Sequence, residues 1–530
     1  MTVEEVLADP RATVAPELVG RIIPLGLVDD PEHQDQYPVS VDLEEGGGLL
    51  VFGAGGSGRT TLLRTIATTT ALGATPDDLV VFGLDFASRA LRSIEPLPHV
   101  AAVGTGDDLE AVTRILALLA NEIERRKGAL AELQAETLTA YRERGGRLPR
   151  VLLLIDGFPA LVSAFSGSGS TFGASLDQWL ELTNRVILDG RQVGVHAVLT
   201  ADRRAGVNSL LHAAVSNKVI LRQAEEGGYG DHGVPMARAR GLDLSPGRGL
   251  WQGGRLVQLA TVSEEPDAAA QAAAIAAIAA SFDLPAGTQP ALRTAPLPEL
   301  VELTPQQRRA DGLDVTIGVA DLTDEPVSID LAFANALIAG LPRSGRSTAA
   351  MVIADGLAAG GTEVWAIGTS ASPLTSLSSV ARSTFGRPEA LVPLLDELCT
   401  VLESLPGDRP RVLVVDDLDA LEDATLNGYW ERILRSDLVR VVATIEMRNI
   451  SGFSMDPLLN EVRKARRALY LQPDDPVELF QTIGVRPPIR PGTPMPPGRG
   501  VLVIDRRPTL IQVGVAHHRP VAAPEPEHRV

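Results

Sequence analysis

Short runs of apolar residues alternate along the chain with longer segments in which apolar residues recur at helical spacing. The runs include LVVFGLDF (79–86), VGVHAVLT (193–200) and LVRVVAT (438–444), and residues 107–140 are one of the helical segments. Uninterrupted apolar runs are typical of strands that are buried on both faces of a parallel sheet. Strands and helices in alternation form βαβ units, so the pattern predicts an α/β fold with mainly parallel central sheets.

One pattern occurs twice in the chain. PVSVDL (38–43) and PVSIDL (326–331) are each followed by an apolar run, a glycine-rich loop and a segment of helical periodicity. Each copy later contains an apolar run closed by aspartate, VLLLIDG (151–157) in the first and VLVVDD (412–417) in the second. Because repeated patterns indicate repeated structural units, we predict two tandem modules of the same fold.

The repeat also suggests how the chain is divided. We predict a first module at 1–262 and a second module at 301–516. The segment between them, 263–300, combines an alanine-rich helix with a proline-rich stretch, and such stretches usually run extended as linkers. The alanine-rich part is too short to span a bilayer, so we expect a soluble helix there. The last residues, 517–530, are predicted to be disordered.

Composition and charge narrow the class of protein. Hydrophobic residues make up 45% of the chain and charged residues 22%, which is typical of a folded globular protein. The formal net charge of −19 opposes nonspecific binding to nucleic acid. A single cysteine, Cys399, excludes a disulfide within the chain, and the N-terminal residues lack the features of a secretory signal. We therefore expect a cytoplasmic protein.

The two glycine-rich loops, GAGGSGRT and GLPRSGRS, have the spacing of a phosphate-binding loop (P-loop) with arginine in place of the usual lysine. Backbone N–H groups of such a loop point at nucleotide phosphates, and the following helix presents its positive end. An ordinary strand-to-helix turn is the alternative, but two copies in matching context favour the P-loop. The candidate ATP-binding residues are Gly53, Ala54, Gly55, Gly56, Ser57, Gly58, Arg59, Thr60 and Thr61 in the first loop, and Gly340, Leu341, Pro342, Arg343, Ser344, Gly345, Arg346, Ser347 and Thr348 in the second.

Hydroxyl and carboxylate groups in each module are candidates for binding Mg²⁺ together with ATP. Thr60 and Ser347 follow the P-loop arginines and would supply hydroxyl ligands. Asp156 and Asp416 close buried strands and would hold the ion through its water shell. The alternative is that both aspartates are simple turn residues at strand ends.

Two departures from active P-loop motors predict weak or absent hydrolysis. Arg59 and Arg346 carry a planar fork where the P-loop lysine provides a compact charge, so they position phosphate differently. After the strand aspartate, where active motors have a glutamate that polarises water, the chain has Gly157 and Asp417. Glycine removes this general base, and aspartate shortens its reach. Asp417 is therefore the only candidate for a catalytic residue.

Several further segments resemble the FtsK/SpoIIIE superfamily. They are LGLVDDPEHQDQYPVSVDL (25–43), LDF (84–86), LPHVAAV (97–103), GRQVGVHAVLTADR (190–203), PGRGL (246–250) and PPGRGVLVI (496–504). Together with the two loops, they make nearly the whole chain similar to the second and third ATPase modules of the EccC-type motor of type VII (ESX) secretion.

This resemblance implies RecA-like folds in both modules and a cytosolic subunit, peripheral to the inner membrane through a membrane-anchored FtsK-like ATPase. It implies that the modules recognise small helical secreted proteins, assemble as a homo-oligomeric ring and regulate the active partner. In relatives, arginines near the positions of Arg191 and Arg222 lie at subunit contacts, but ordinary surface residues are the alternative.

Three other functions remain open at the level of sequence. A DNA translocase of the FtsK type is opposed by the acidic charge and the missing glutamates. A nucleotide-free scaffold would have the same modules with loops that bind nothing. An active stand-alone ATPase would release phosphate at rates typical of motors.

Overall fold

The computed structural model describes residues 1–515 except for short segments and single positions. The exceptions are residues 16, 17, 19, 32, 167–172, 243, 253, 285–289, 291, 295, 323, 324, 405–409, 452, 453, 466, 474–478, 480–483, 485, 486, 488 and 490–493. The predicted disordered tail at 517–530 and part of the predicted linker segment at 263–300 therefore lie outside the described residues. The chain divides into two compact units, Met1–Thr294 and Ala295–Val530.

The described residues of the first unit form a ten-stranded sheet. Its strands are β1 (Ile22–Asp30), β2 (Asp35–Asp42), β3 (Leu49–Phe52), β4 (Leu79–Asp85), β5 (Val100–Thr105), β6 (Arg150–Asp156), β7 (Val195–Ala201), β8 (Lys218–Leu221), β9 (Arg248–Trp251) and β10 (Arg255–Leu259). Their order across the sheet is β2-β1-β10-β9-β8-β3-β7-β6-β4-β5. The strands from β8 to β5 in this order are parallel, whereas β9, β10, β1 and β2 continue the sheet by antiparallel pairing.

The second unit repeats this arrangement strand by strand. Its strands are β11 (Val301–Glu302), β12 (Asp314–Ala320), β13 (Pro326–Asp330), β14 (Ala336–Gly340), β15 (Val364–Gly368), β16 (Arg382–Phe385), β17 (Arg411–Asp416), β18 (Val439–Glu446), β19 (Arg467–Leu471), β20 (Arg499–Ile504) and β21 (Arg507–Val515). The order is β13-β12-β21-β20-β19-β14-β18-β17-β15-β16, and β11 pairs with β21 outside it. The parallel and antiparallel parts match those of the first sheet.

Helices connect the strands in both units. In the first unit they are α1 (Val3–Leu7), α2 (Leu43–Gly46), α3 (Arg59–Gly73), α4 (Leu109–Glu132), α5 (Leu138–Glu143), α6 (Phe158–Phe165), α7 (Gly173–Gly190), α8 (Ser209–Ala214), α9 (Gly227–Asp231), α10 (Met236–Ala239) and α11 (Ala268–Ser281). In the second unit they are α12 (Pro305–Arg308), α13 (Arg346–Gly360), α14 (Pro388–Ser404), α15 (Asn427–Leu434) and α16 (Pro457–Val462). No helix in the described part of the chain is long and apolar enough to cross a membrane.

The central parallel strands are buried along their whole length. All residues of β3, β4, β6 and β7 are buried, as are those of β14 and β15 in the second unit. Burial of both faces explains why these strands appear in the sequence as uninterrupted apolar runs. The predicted α/β class with mainly parallel central sheets is confirmed.

The helix after each glycine-rich loop packs into the hydrophobic core. Leu62, Leu63 and Ile66 of α3 belong to one core cluster with Leu49 and Val51 of β3. The second unit has the same layer, in which alanines and Ile353 of α13 pack with residues of β14. This packing fixes the N-terminal end of each helix at the carboxyl edge of the sheet, where ligands bind in open α/β folds.

The alanine-rich segment forms α11 and packs against the first unit. Asp267 caps its N-terminus by accepting hydrogen bonds from the N–H groups of Ala269 and Ala270. Ile275 is fully buried in the core of the first unit, and the Gln271 side chain bonds to backbone groups of Val262, Ser263 and Glu265. In the structure, this helix is therefore part of the first compact unit.

Candidate functional site

The first glycine-rich loop joins the end of β3 to the start of α3. Gly56 and Gly58 have φ angles of 70° and 106°, in the left-handed region where glycine has no steric penalty. A Cβ on Gly58 would also lie 3.1 Å from the backbone nitrogen of Gly247. The glycine spacing is therefore required by the backbone path of the loop.

Backbone N–H groups of this loop fall into two sets. Those of Gly53 and Ala54 are anchored, since they donate to the carbonyl oxygens of Ala201 (3.1 Å) and Arg222 (2.8 Å). The N–H groups of Gly55, Gly56 and Gly58 have no protein acceptor among the described residues. Free backbone donors clustered at a helix N-terminus are the arrangement that binds phosphate. The loop therefore fits the cradle predicted from the sequence.

A buried serine lies under each loop. Ser57 and Ser344 are almost completely buried, and neither hydroxyl has a hydrogen-bond partner in the part of the chain that the structure describes. A Cβ on Gly53 would overlap with the hydroxyl oxygen of Ser57, and a Cβ on Gly340 with that of Ser344. Glycine at the first loop position is thus needed to make room for the serine.

In the first unit, the predicted metal ligands belong to one hydrogen-bond network. The Thr60 hydroxyl donates to Asp156 Oδ2 at 2.6 Å, and the Thr200 hydroxyl donates to Asp156 Oδ1 at 2.6 Å. Burial raises the pKa of Asp156 above its usual value, although the hydrogen bonds from Thr200 and Thr60 lower it. A hydroxyl next to a strand-end carboxylate fits the ligand set of a nucleotide-bound Mg²⁺.

The position after Asp156 carries no carboxylate and leaves little space for one. Gly157 has a φ angle of 80°, and its N–H donates to the Thr200 hydroxyl at 2.9 Å. A Cβ there would lie 3.2 Å from the backbone carbon of Phe86. The first cradle therefore has no general base at the place where active motors have glutamate.

The second loop has the same backbone shape with different side chains. Gly345 precedes α13 with a φ angle of 99°, and Arg343 takes the left-handed conformation that Gly56 has in the first loop, at 65°. Arginine rarely adopts this conformation, so Arg343 contributes backbone strain at the centre of the loop.

In each unit, a glycine of a Pro-Gly-Arg-Gly segment is hydrogen-bonded to the glycine-rich loop. The Gly247 N–H donates to the Ser57 carbonyl oxygen at 2.9 Å, and the Gly498 N–H donates to that of Ser344 at 2.7 Å. These glycines belong to the PGRG motif, which occurs in both modules and whose role is not evident from the sequence alone. The repetition of this motif in both modules was the signal that it contacts a repeated feature.

The second strand-end aspartate is bonded differently from the first. Asp416 accepts hydrogen bonds from the hydroxyls of Ser372 (2.6 Å) and Thr444 (2.7 Å). Among the described residues, the predicted ligand Ser347 makes no hydrogen bond to Asp416. Ser372 thus takes the place that Thr60 has in the first unit. Thr200, Ser372 and Thr444 were not predicted from the sequence, although Thr200 and Thr444 stand at matching positions in β7 and β18.

Asp417 contacts the P-loop arginine of its own module. Arg346 Nη2 lies 3.3 Å from Asp417 Oδ1, and their side chains are 13% and 30% exposed. The pKa of Asp417 is raised by burial and by the neighbouring Asp416, although the charge of Arg346 lowers it. Because its carboxylate is paired with Arg346, Asp417 is poorly placed to accept a proton from water.

Of the two arginines suggested as subunit contacts, only Arg222 contacts the first glycine loop. Arg191 donates from Nε and Nη2 to the carbonyl oxygens of Glu44 and Glu45 at 2.9 and 2.7 Å, so it holds the short helix α2. Arg222 lies over the loop, with Nη2 3.4 Å from the Gly55 carbonyl oxygen. Arg222 therefore adds positive charge to the first cradle within the same unit.

Comparison with known proteins agrees with this geometry. Residues 22–239 match the FtsK/SpoIIIE family. The ESX-5 secretion system protein EccC5 of Mycobacterium marinum is 27% identical over 94% of this chain and 39% of its own length. The type VII secretion system protein EssC of Staphylococcus aureus is 28% identical over 37% of this chain and 13% of its own. The chain spans about two fifths of the length of the EccC5 relatives.

Solved structures share the tandem fold. Thermomonospora curvata EccC (ATPases 2 and 3), in complex with a signal sequence peptide, has a TM-score of 0.68 at 22% identity, covering 94% of this chain and 93% of that one. EssC (ATPases 2 and 3) from Geobacillus thermodenitrificans has a TM-score of 0.66 at 20% identity, covering 96% and 98%.

Fold and loops together define a protein with two tandem modules of the P-loop type, and residues 22–239 match the FtsK/SpoIIIE family. Nearly the whole chain is similar to EccC-type proteins of type VII secretion, which confirms the resemblance stated from the sequence.

Proposed function

We propose that the chain is an ATP- and Mg²⁺-binding component of a type VII secretion motor, and that its two modules hydrolyse ATP weakly or not at all. The observation that carries this proposal is the repetition of one arrangement in both units. Each unit has a glycine loop at a helix N-terminus beside a strand-end aspartate that accepts two hydroxyl hydrogen bonds.

Weak hydrolysis is supported by the residue that follows each aspartate. Gly157 offers no carboxylate, and Asp417 is paired with Arg346 at 3.3 Å. General-base catalysis needs a carboxylate within hydrogen-bond reach of the attacking water. Neither module combines such a free carboxylate with a P-loop lysine.

The relatives support a proposal about partners and location. One relative of this fold was solved with a signal sequence peptide, and others are cytoplasmic domains of EccC and EssC. We propose that this chain works in the cytoplasm, recognises small helical secreted proteins and regulates a membrane-anchored FtsK-like ATPase. In the assembled motor, it would form a homo-oligomeric ring.

Phosphate release from the purified full-length chain tests the proposed lack of turnover. With ATP and Mg²⁺, we expect release near background, unchanged by DNA. Arg59→Lys alone should restore little, because Gly157 still provides no base. The matched control is Thr60→Ala, which removes the proposed magnesium ligand and should leave the background rate unchanged.

Two results would contradict the proposal. Release at a motor-like rate that Thr60→Ala abolishes would indicate an active ATPase. Release stimulated by double-stranded DNA would favour the FtsK-type DNA translocase instead.

A further inference from the structure

We propose that Asp417 lowers the affinity of the second cradle for ATP relative to ADP, so that the two cradles differ in their response to the γ-phosphate. This inference rests on the proposed function, because it assumes that both cradles bind nucleotide. It concerns the specificity of the second site, which the P-loop motif alone does not determine.

The ion pair between Arg346 and Asp417 lies where a terminal phosphate would be bound. Arg346 is the first residue of α13 and occupies the position of the P-loop lysine, which contacts the β- and γ-phosphates. Its Nη2 atom is already 3.3 Å from Asp417 Oδ1. A γ-phosphate that reaches Arg346 must therefore share this guanidinium with a carboxylate of the same charge sign.

The backbone of Asp417 is held in a defined conformation. Its φ angle is 54°, and its N–H donates to the Thr444 hydroxyl at 2.8 Å. Thr444 is itself bonded to the buried Asp416, so the backbone carrying the Asp417 side chain is fixed by a buried network. Rotating the carboxylate away from a third phosphate would give up the pairing with Arg346.

Charge favours the diphosphate at this site. ATP brings one more phosphate than ADP, and the additional negative charge lies at the end nearest Asp417. Like charges at short range in a partly buried site repel each other more strongly than in water. ADP ends at the β-phosphate, so it also reaches Arg346 but brings less negative charge close to Asp417 than ATP does.

The first cradle lacks this arrangement. Gly157 stands at the position of Asp417, and Arg59 makes no ion pair among the described residues. Arg222 also brings a guanidinium to within 3.4 Å of the Gly55 carbonyl oxygen, whereas Gln472 occupies the corresponding position after β19. The first cradle is therefore free to bind a γ-phosphate with both arginines.

Calorimetric titration of the full chain with Mg²⁺ and either ADP or the β,γ-imido analogue of ATP tests the inference. Titrations use the Arg59→Ala variant, in which the first cradle should bind nucleotide weakly, so that the measured affinity is that of the second cradle. In this background, Asp417→Asn should raise the affinity for the triphosphate analogue about tenfold while changing that for ADP by less than about twofold. Asp417→Gly should act in the same direction, and both residues tolerate a positive φ angle.

Two controls separate the local effect from a general change of charge. Glu422→Gln changes the net charge by the same amount at an exposed position five residues along the chain, and should leave both affinities unchanged. In an Arg346→Ala background, which reports the first cradle, Asp417→Asn should not change the preference between ATP and ADP.

The outcomes distinguish this inference from the proposed function. If the second cradle binds both nucleotides and neither Asp417 variant changes their affinity ratio, the inference is wrong and the proposed function stands. If the unaltered chain binds neither nucleotide, the proposed function itself fails, and the inference fails with it.

Discussion

Asp156 and Asp416 each accept hydrogen bonds from two hydroxyl groups beside the glycine loop. A buried carboxylate is unfavourable unless hydrogen bonds replace its water shell. In the first unit, one of the two donors is Thr60, which is also the candidate magnesium ligand. In the second unit, Ser372 and Thr444 supply both bonds, so Ser347 is not used for this purpose.

Removing the Thr200 hydroxyl should destabilise the first unit. Thr200→Val deletes the hydrogen bond to Asp156 and leaves the N–H of Gly157 without its acceptor. Leaving buried polar groups unsatisfied costs about 1–3 kcal/mol. Hydrogen exchange of the β6 and β7 amides under denaturant gives the free energy of unfolding of the first unit and so measures this loss.

Thr68→Val is the matched control for this prediction. Thr68 is fully buried in α3, and its hydroxyl has no hydrogen-bond partner in the described ranges. Replacing an unpaired buried hydroxyl with a methyl group should be neutral or stabilising. An equal loss of stability in the two variants would contradict the role assigned to Thr200.

The sequence indicated part of these networks. Thr60 and Asp156 were predicted as neighbours because the P-loop and the strand-end aspartate are recognisable patterns. Thr200 and Thr444 each stand near the end of the same strand in the two copies, in AVLT and VVAT, and this repetition was an unused signal. Ser372 could not be predicted, because the first copy has Arg89 at the corresponding distance after its strand.

Strand β7 places a titratable group in the core of the first unit. The pKa of His196 is lowered to about 3 by burial and by the charges of Arg150, Arg126 and Arg191, although Asp42 opposes this shift. A histidine in the unfolded chain has a pKa of about 6.5. Below that pH, the unfolded chain binds a proton that the folded unit does not.

Stability of the first unit should therefore fall as the pH decreases from about 6.5 towards 3. At pH 5, the contribution of His196 to the loss is ~2 kcal/mol. His196→Leu should remove this part of the loss between pH 7.5 and pH 5, measured by hydrogen exchange of β7 amides. His33 is exposed, so His33→Gln should lose as much stability between pH 7.5 and pH 5 as the unaltered chain. If His196→Leu also lost as much stability as the unaltered chain, the assignment to His196 would be contradicted.

Elements with an uninterrupted apolar sequence were easier to predict than those with special turns. The helical pattern at 107–140 forms two helices, α4 and α5, because Gln134 takes a φ angle of 53° and Thr137 caps the second helix. The PPGRGVLVI segment leads into a hairpin of β20 and β21, whose turn residues Asp505 and Arg506 have φ angles of 46° and 67°. Such a turn favours Asn-Gly, so Asp-Arg gave no signal.

Across the molecule, duplication was visible in the sequence but strand order was not. The repeated PVSVDL and PVSIDL segments predicted two modules of one fold, and both sheets have the same order. Pairing of β1 with β10, or of β3 with β7, joins residues that are distant in the chain, and no local pattern specifies it. The net charge of −19 is a property of the whole chain and opposes binding to DNA.

The central claim is that both glycine loops bind a nucleoside triphosphate with Mg²⁺. Native mass spectrometry of the full chain with saturating β,γ-imido ATP and Mg²⁺ counts bound nucleotides directly. The account predicts two nucleotides per chain, and one when either Arg59→Ala or Arg346→Ala is introduced. A chain that binds no nucleotide under these conditions would contradict it.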